Sequence, residues 1–157
     1  MSLVLPQRTT KPRKYGITSL HDVSTTVSEL TAILEDYGQF ADFAKIGVGS
    51  AYIMPNLSSK LAAYKEAGIT TYFGGTLFEK FFEQGQLDDY LIYLSKHDVN
   101  WIEVSCGTVD ISVEQRAEIV TRLSKDFNVI SEVGSKDADK IMPPSEWIEE
   151  IDILMQA

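Results

Sequence analysis

Cysteine is nearly missing from this sequence. Cys106 stands alone among 157 residues, which rules out an intramolecular disulfide and any multi-cysteine metal site. Long apolar runs are missing too: no stretch approaches the roughly 20 residues that cross a bilayer. The short Leu3-Val4-Leu5 run lacks the apolar region of a secretory signal. Positive charge is scarce, with 14 Lys and Arg against 23 Asp and Glu and a formal net charge of -9. That balance argues against a nucleic-acid footprint. The one basic patch, residues 11–14, suits a lead-in to a first strand or a local anion site. The expectation is a cytoplasmic globular protein that binds neither membrane nor nucleic acid.

Hairpin signals are also absent. Instead, apolar β-prone runs at 15–20, 40–46, 69–73, 101–105 and 129–133 alternate with helix-type patterns. Thr25 or Thr26 can cap the first helix, whose stripe is Val27, Leu30, Leu34 and Tyr37. Asn56 or Ser58 can cap the second, and residues 77–98 read as helix with a break near Gly85. Ser112 can cap a helix that turns Val113, Ala117, Val120, Leu123 and Phe127 inward. Pro143-Pro144-Ser145 opens a last helix through Trp147, Ile148, Ile151 and Leu154. Five strand–helix units with no hairpins imply an α/β fold with a parallel sheet and right-handed crossovers. Residues 1–157 read as a single domain, with 1–14 as a segment leading into the first strand.

In such sheets ligands bind at the carboxyl ends of the strands, and polar residues gather there: Asp22, Lys45, Gly74, Gly75, Thr76, Glu79, Glu103, Ser105, Glu132 and Lys136. Gly74-Gly75 after strand three lets backbone N–H groups approach an anion. The plainer reading is a tight turn with Thr76 as N-cap and Glu79 completing a capping box. Lys45, Glu103 and Glu132 lie inside apolar strands, where charge is costly unless paired or bound to metal. They make either a buried Lys–Glu network or a polar mouth for a divalent cation and an anionic substrate. His21 reads as a turn histidine and His97 as exposed, while Cys106 lacks a basic partner nearby in sequence and reads as a small loop residue.

Five segments together resemble the phosphosulfolactate synthase family: Lys11-Pro12-Arg13, Phe43-Ala44-Lys45-Ile46-Gly47, Gly74-Gly75-Thr76-Leu77-Phe78-Glu79, Ile102-Glu103-Val104-Ser105 and Ser131-Glu132-Val133-Gly134-Ser135-Lys136-Asp137. The similarity runs in register from Lys11 to the end of the chain. The resemblance implies a (β/α)8 TIM-barrel type fold, with about five of the eight units in this chain. It also implies a carbon–sulfur lyase-type enzyme that adds sulfite to phosphoenolpyruvate with Mg²⁺, giving (2R)-phospho-3-sulfolactate. On that basis Lys136 is the first choice for general acid and Lys45 the second, or an anion ligand. Glu103, Glu132 and Glu79 are candidate Mg²⁺ ligands, the first two also candidates for orienting the lysines. Gly74, Gly75, Thr76, Ser105 and Asp22 are candidate substrate contacts.

The chain departs from the family pattern at three places. Ser24 stands where the family has glycine, Gly47-Val48-Gly49-Ser50 where it has Gly-Trp-Gly-Thr, and Cys106 where it has Asn or Asp. A full barrel takes about 250 residues, so a fragment with open sheet edges, prone to self-association, is expected. Two alternatives stay open: a non-catalytic, stress-associated relative acting through protein contacts, and another barrel enzyme on a small phosphorylated acid.

Overall fold

Strand and helix alternate along the chain in a computed structural model that describes residues 3–4, 6–134 and 141–157. The strands are β1 (Ser19–Asp22), β2 (Phe43–Ile46), β3 (Thr70–Phe73), β4 (Trp101–Val104) and β5 (Asn128–Ser131). The helices are α1 (Val27–Tyr37), α2 (Ser50–Ile53), α3 (Leu57–Glu66), α4 (Gly75–Glu83), α5 (Leu87–Lys96), α6 (Val113–Leu123) and α7 (Pro144–Met155). No described helix is long and apolar enough to cross a membrane.

The strands form one parallel sheet in the order β1-β2-β3-β4-β5. Because each strand neighbours the next in sequence, right-handed crossovers put the helices on one face. That is the winding of a (β/α) barrel; a doubly wound sheet reverses direction and carries helices on both faces. The described chain is therefore α/β and matches part of a (β/α) barrel. On the helix face Ala44, Ile46, Phe73, Ile102 and Val104 are fully buried. Strand alternation and register put His21, Phe43, Lys45, Tyr72, Trp101 and Glu103 on the other face. There Phe43 meets Tyr72 and Trp101 edge-on, with ring centroids 6.5 and 4.9 Å apart.

Local capping sets two helix starts. Thr26 and Glu29 close a capping box on α1, and Ser112 and Gln115 close another on α6. Several expectations are corrected. β1 begins at Ser19 and not at residue 15, because Gly16 has φ +66 and breaks the extended run. β2 starts at Phe43, a 3-10 turn over Gly38–Phe40 taking its expected first residue. The short helix α2 fills what read as loop. Asn56 precedes α3 without a side-chain cap. Gly74, not Thr76, is the N-cap of α4, so Glu79 completes no capping box and sits buried inside the helix. Glu132 lies one residue beyond β5.

Tyr37, expected on the apolar stripe of the first helix, points outward. Trp147 and Ile148 are exposed, Trp147 lying over Gly134, where a Cβ would come within 2.7 Å of its ring. His97, expected exposed, is half-buried edge-on against Tyr93, centroids 4.7 Å apart, and burial lowers its pKa. The basic lead-in is a clamp and not an anion site. Lys11 Nζ donates to the carbonyls of Gly38 and Ala67 at helix ends (2.8 and 3.2 Å), and Arg13 pairs with Asp42 at 2.7 Å.

Asp22 points to the helix side. Its carboxylate accepts from Lys60 Nζ at 3.0 and 2.8 Å, from the Tyr64 hydroxyl at 2.8 Å and from the Thr25 N–H at 3.1 Å. Burial pushes the Asp22 carboxyl up, but the donors from Lys60, Tyr64 and Thr25 outweigh it and hold the pKa below its ordinary value. The sign follows: this stabilisation is present above the unfolded pKa of about 4 and lost as pH falls through the lower folded one. Removing Lys60, which is fully buried, would leave the Asp22 carboxylate without its cationic partner. Lys60→Ala is expected to destabilise the fold by about 3–5 kcal/mol in urea titrations at neutral pH. An unchanged midpoint would show that the pair does not hold β1 to α3.

Candidate functional site at the carboxyl ends of the strands

Three glycines at strand ends each make room for a polar side chain. A Cβ on Gly47 would lie 1.9 Å from His21 Nε2, one on Gly74 would lie 2.9 Å from Lys45 Cε, and one on Gly75 would lie 2.0 Å from Ser105 Oγ. Glycine is required here by close approach. The result is a floor of backbone between His21, Lys45, Glu103 and Ser105.

Lys45 and Glu103 meet across this floor, Nζ to Oε1 at 2.7 Å, with the lysine side chain 22% exposed and the glutamate 6%. The other oxygen of Glu103 accepts from the Gly75 N–H at the start of α4. Glu103 thus serves as a remote cap, its charge placed where the helix dipole favours an anion. The Gly74 N–H donates to the Ile46 carbonyl at 2.8 Å. Both N–H groups expected to cradle a substrate anion are therefore engaged within the protein. Thr76 stands half-buried in the first turn of α4.

Glu79 organises the loop after β4. Fully buried, it accepts from the Ser105 hydroxyl, from the N–H groups of Gly107 and Thr108 at 2.7 and 2.9 Å, and from the Thr108 hydroxyl. Ser105 is likewise fully buried. Glu132 joins the end of β4 through its N–H to the Val104 carbonyl at 2.9 Å, while its own carbonyl accepts from Arg116 at 2.9 Å. Asp22 lies on the helix side of β1, away from the Lys45–Glu103 pair. Lys136 lies outside the described residues.

The structure so brings together Lys45, Glu103, Gly74, Gly75, Ser105 and Glu79, and adds His21, which the sequence reading set aside. Its signal was parity: His21 lies two residues from Ser19 on the face that register shares with Lys45. Arg116 was missed as well; it is buried, pairs with Glu150, and borders a cavity of about 260 Å³ next to Cys106. A larger concavity of about 640 Å³, lined by Lys65, Thr70, Lys96 and His97, opens at the amino ends of β3 and β4. Barrel chemistry is found at the other end.

Among the described residues no three His, Cys, Asp or Glu side chains form a metal-holding group. Glu103 and Glu79 already accept several donors, so these carboxylates do not make a ready Mg²⁺ site on their own. Cys106 is half-buried, and burial, with Glu150, Glu79 and Glu132 outweighing Arg116, raises its thiol pKa. It is expected to alkylate slowly at neutral pH, with a rate midpoint above the ordinary thiol value of about 8.5. A midpoint below that value in an iodoacetamide pH series would contradict this environment.

A family model described as (2R)-phospho-3-sulfolactate synthase (ComA) matches residues 6–157. The phosphosulfolactate synthase of Bacillus subtilis (strain 168) is 36% identical over 152 residues, covering 96% of this chain and 60% of that protein. The phosphosulfolactate synthase of Methanocaldococcus jannaschii is 37% identical over 114 residues, covering 68% of this chain and 45% of its own length. That of Methanothermobacter thermautotrophicus is 30% identical over 148 residues, covering 91% and 57%. The chain thus spans about half of the length of these relatives.

Proposed function

Because this chain belongs to the phosphosulfolactate synthase family, we propose that its strand-end site serves the addition of sulfite to phosphoenolpyruvate, giving (2R)-phospho-3-sulfolactate. The observation that carries this reading is Lys45, a cation held at the sheet's open face by Glu103 beside the Gly74-Gly75 turn. In the proposed reaction the sulfite sulfur forms a bond to the methylene carbon. The electron pair of the double bond moves toward the carboxylate, and a proton is delivered to the phosphate-bearing carbon. Positive charge fixed by a partner before the reaction stabilises charge that develops during it. Lys45, kept oriented by Glu103, supplies that charge to the anionic substrate. Lys136 remains the proposed proton donor on the strength of the family motif, and the Thr76 hydroxyl and Ser105 line the proposed binding region. Mg²⁺ is part of the proposal as the cofactor the family implies.

Self-association belongs to the same proposal. The chain exposes 10150 Å², against about 7,900 Å² expected for a compact monomer of its mass. Among the described residues, the face bearing Phe43, Tyr72 and Trp101 carries no helix. Phosphorus NMR of the longest chain carrying this sequence, mixed with phosphoenolpyruvate, sulfite and Mg²⁺, tests the reading. A phosphosulfolactate resonance is expected, and none from a folded protein would remove the proposal.

A further inference from the structure

We propose that His21 is a second anion-binding residue of this site, gripping the phosphate or carboxylate of the substrate beside Lys45. The inference rests on the proposed function for the identity of the substrate, but on its own geometry for the contact. His21 and Lys45 are register partners on adjacent parallel strands, so their side chains rise from the same face of the sheet. The imidazole then leans toward the strand ends. Gly47 lies directly beneath it, and a Cβ there would stand 1.9 Å from Nε2 and 2.5 Å from Cδ2. Gly74 follows within contact of Gly47, a Cβ on it lying 3.2 Å from the Gly47 Cα and 2.9 Å from Lys45 Cε. One continuous strip of backbone, with no side chain of its own, therefore joins the histidine ring to the lysine. A small polyanion laid on that strip meets both.

The chemistry of the two groups is complementary. The Lys45 charge is shared with Glu103, 2.7 Å away, so the pair is close to neutral before any ligand arrives. His21 is exposed and makes no hydrogen bond or ion pair among the described residues, which leaves its ring nitrogens available to a ligand. Asp22, the adjacent carboxylate, is turned to the helix side and bound by Lys60, so it does not compete for the ring. A substrate with two anionic groups gains from a second donor on the side of Lys45 away from Glu103.

The chain has only two histidines, so their ring resonances can be told apart, and His97 serves as the internal control. His97 packs against Phe73 and Tyr93 on the helix side of the sheet, across the sheet from the face that carries His21. Inorganic phosphate and phosphoenolpyruvate are titrated separately into the whole chain while both imidazoles are followed. Saturable movement of the His21 signals, weakened by Lys45→Met and absent for His97, is expected. His21→Ala should raise KM for phosphoenolpyruvate about tenfold, as for a lost hydrogen bond to a charged group, with kcat within about twofold. Stationary His21 signals at phosphoenolpyruvate concentrations that saturate turnover, or an unchanged KM, overturn the inference and leave the proposed reaction standing. Movement of His21 with phosphoenolpyruvate, but no product with sulfite, supports the anion site and removes the sulfite reaction instead.

Discussion

Replacing Lys45 by Met is expected to lower turnover of phosphoenolpyruvate and sulfite by about 10²- to 10³-fold, the scale seen when one preorganised donor is removed from developing charge. The substitution keeps the length of the side chain and its packing but removes the charge. Glu103 then retains only the Gly75 N–H among its two partners. Removing one partner of a buried ion pair costs about 3–5 kcal/mol, so thermal melting separates lost chemistry from lost fold. Lys45→Arg should not restore activity. The space around Cε is bounded by Gly74, where a Cβ would already lie 2.9 Å away, and a branched planar guanidinium does not follow that channel. Melange of the two effects is resolved by kcat/KM together with the melting curve. Near-normal kcat/KM in a folded Lys45→Met protein would remove the lysine from the site.

Gly75→Ala is expected to be the most damaging single-methyl change in the protein. The new Cβ would lie 2.0 Å from Ser105 Oγ and 2.6 Å from Ser105 Cβ, with Glu103 Oε2 at 3.3 Å. Ser105 cannot swing away, because it is fully buried and its hydroxyl donates to Glu79. Overpacking of this kind costs about 1–3 kcal/mol and occasionally more. Here the shift would also pull the Gly75 N–H off Glu103, so a loss of at least about 3 kcal/mol is expected in urea titration. Ser105→Gly in the same chain opens the space and should return most of that loss. If Gly75→Ala alone melts with the wild type, the close approach of α4 to β4 is wrong.

What the sequence made legible was local. The N-caps of α1 and α6 need only a few residues of context: Ser112 caps α6 as expected, and of the two candidates Thr25 and Thr26 it is Thr26 that caps α1. The strand–helix alternation sufficed for a parallel sheet with neighbours in sequence order. Local pattern also misled: Thr76 and Glu79 have capping-box spacing, but the helix already starts at Gly75, and Glu79 is claimed by the loop after β4. The charges inside strands were readable as anomalies. That Lys45 would meet Glu103, 58 residues away, or Asp22 meet Lys60, 38 residues away, was not, since no local rule couples such distant positions. Of the two sequence readings of the strand charges, the paired network is what Lys45 and Glu103 form, at the open strand ends.

The central claim is that this site positions sulfite addition and the proton that follows it. Running the reaction in D₂O with the longest chain that carries this sequence, and reading the product by proton and phosphorus NMR, tests it most directly. Phosphosulfolactate with a single deuteron on the phosphate-bearing carbon and a single configuration there is expected. A product of mixed configuration, or a folded protein that forms none, would contradict it.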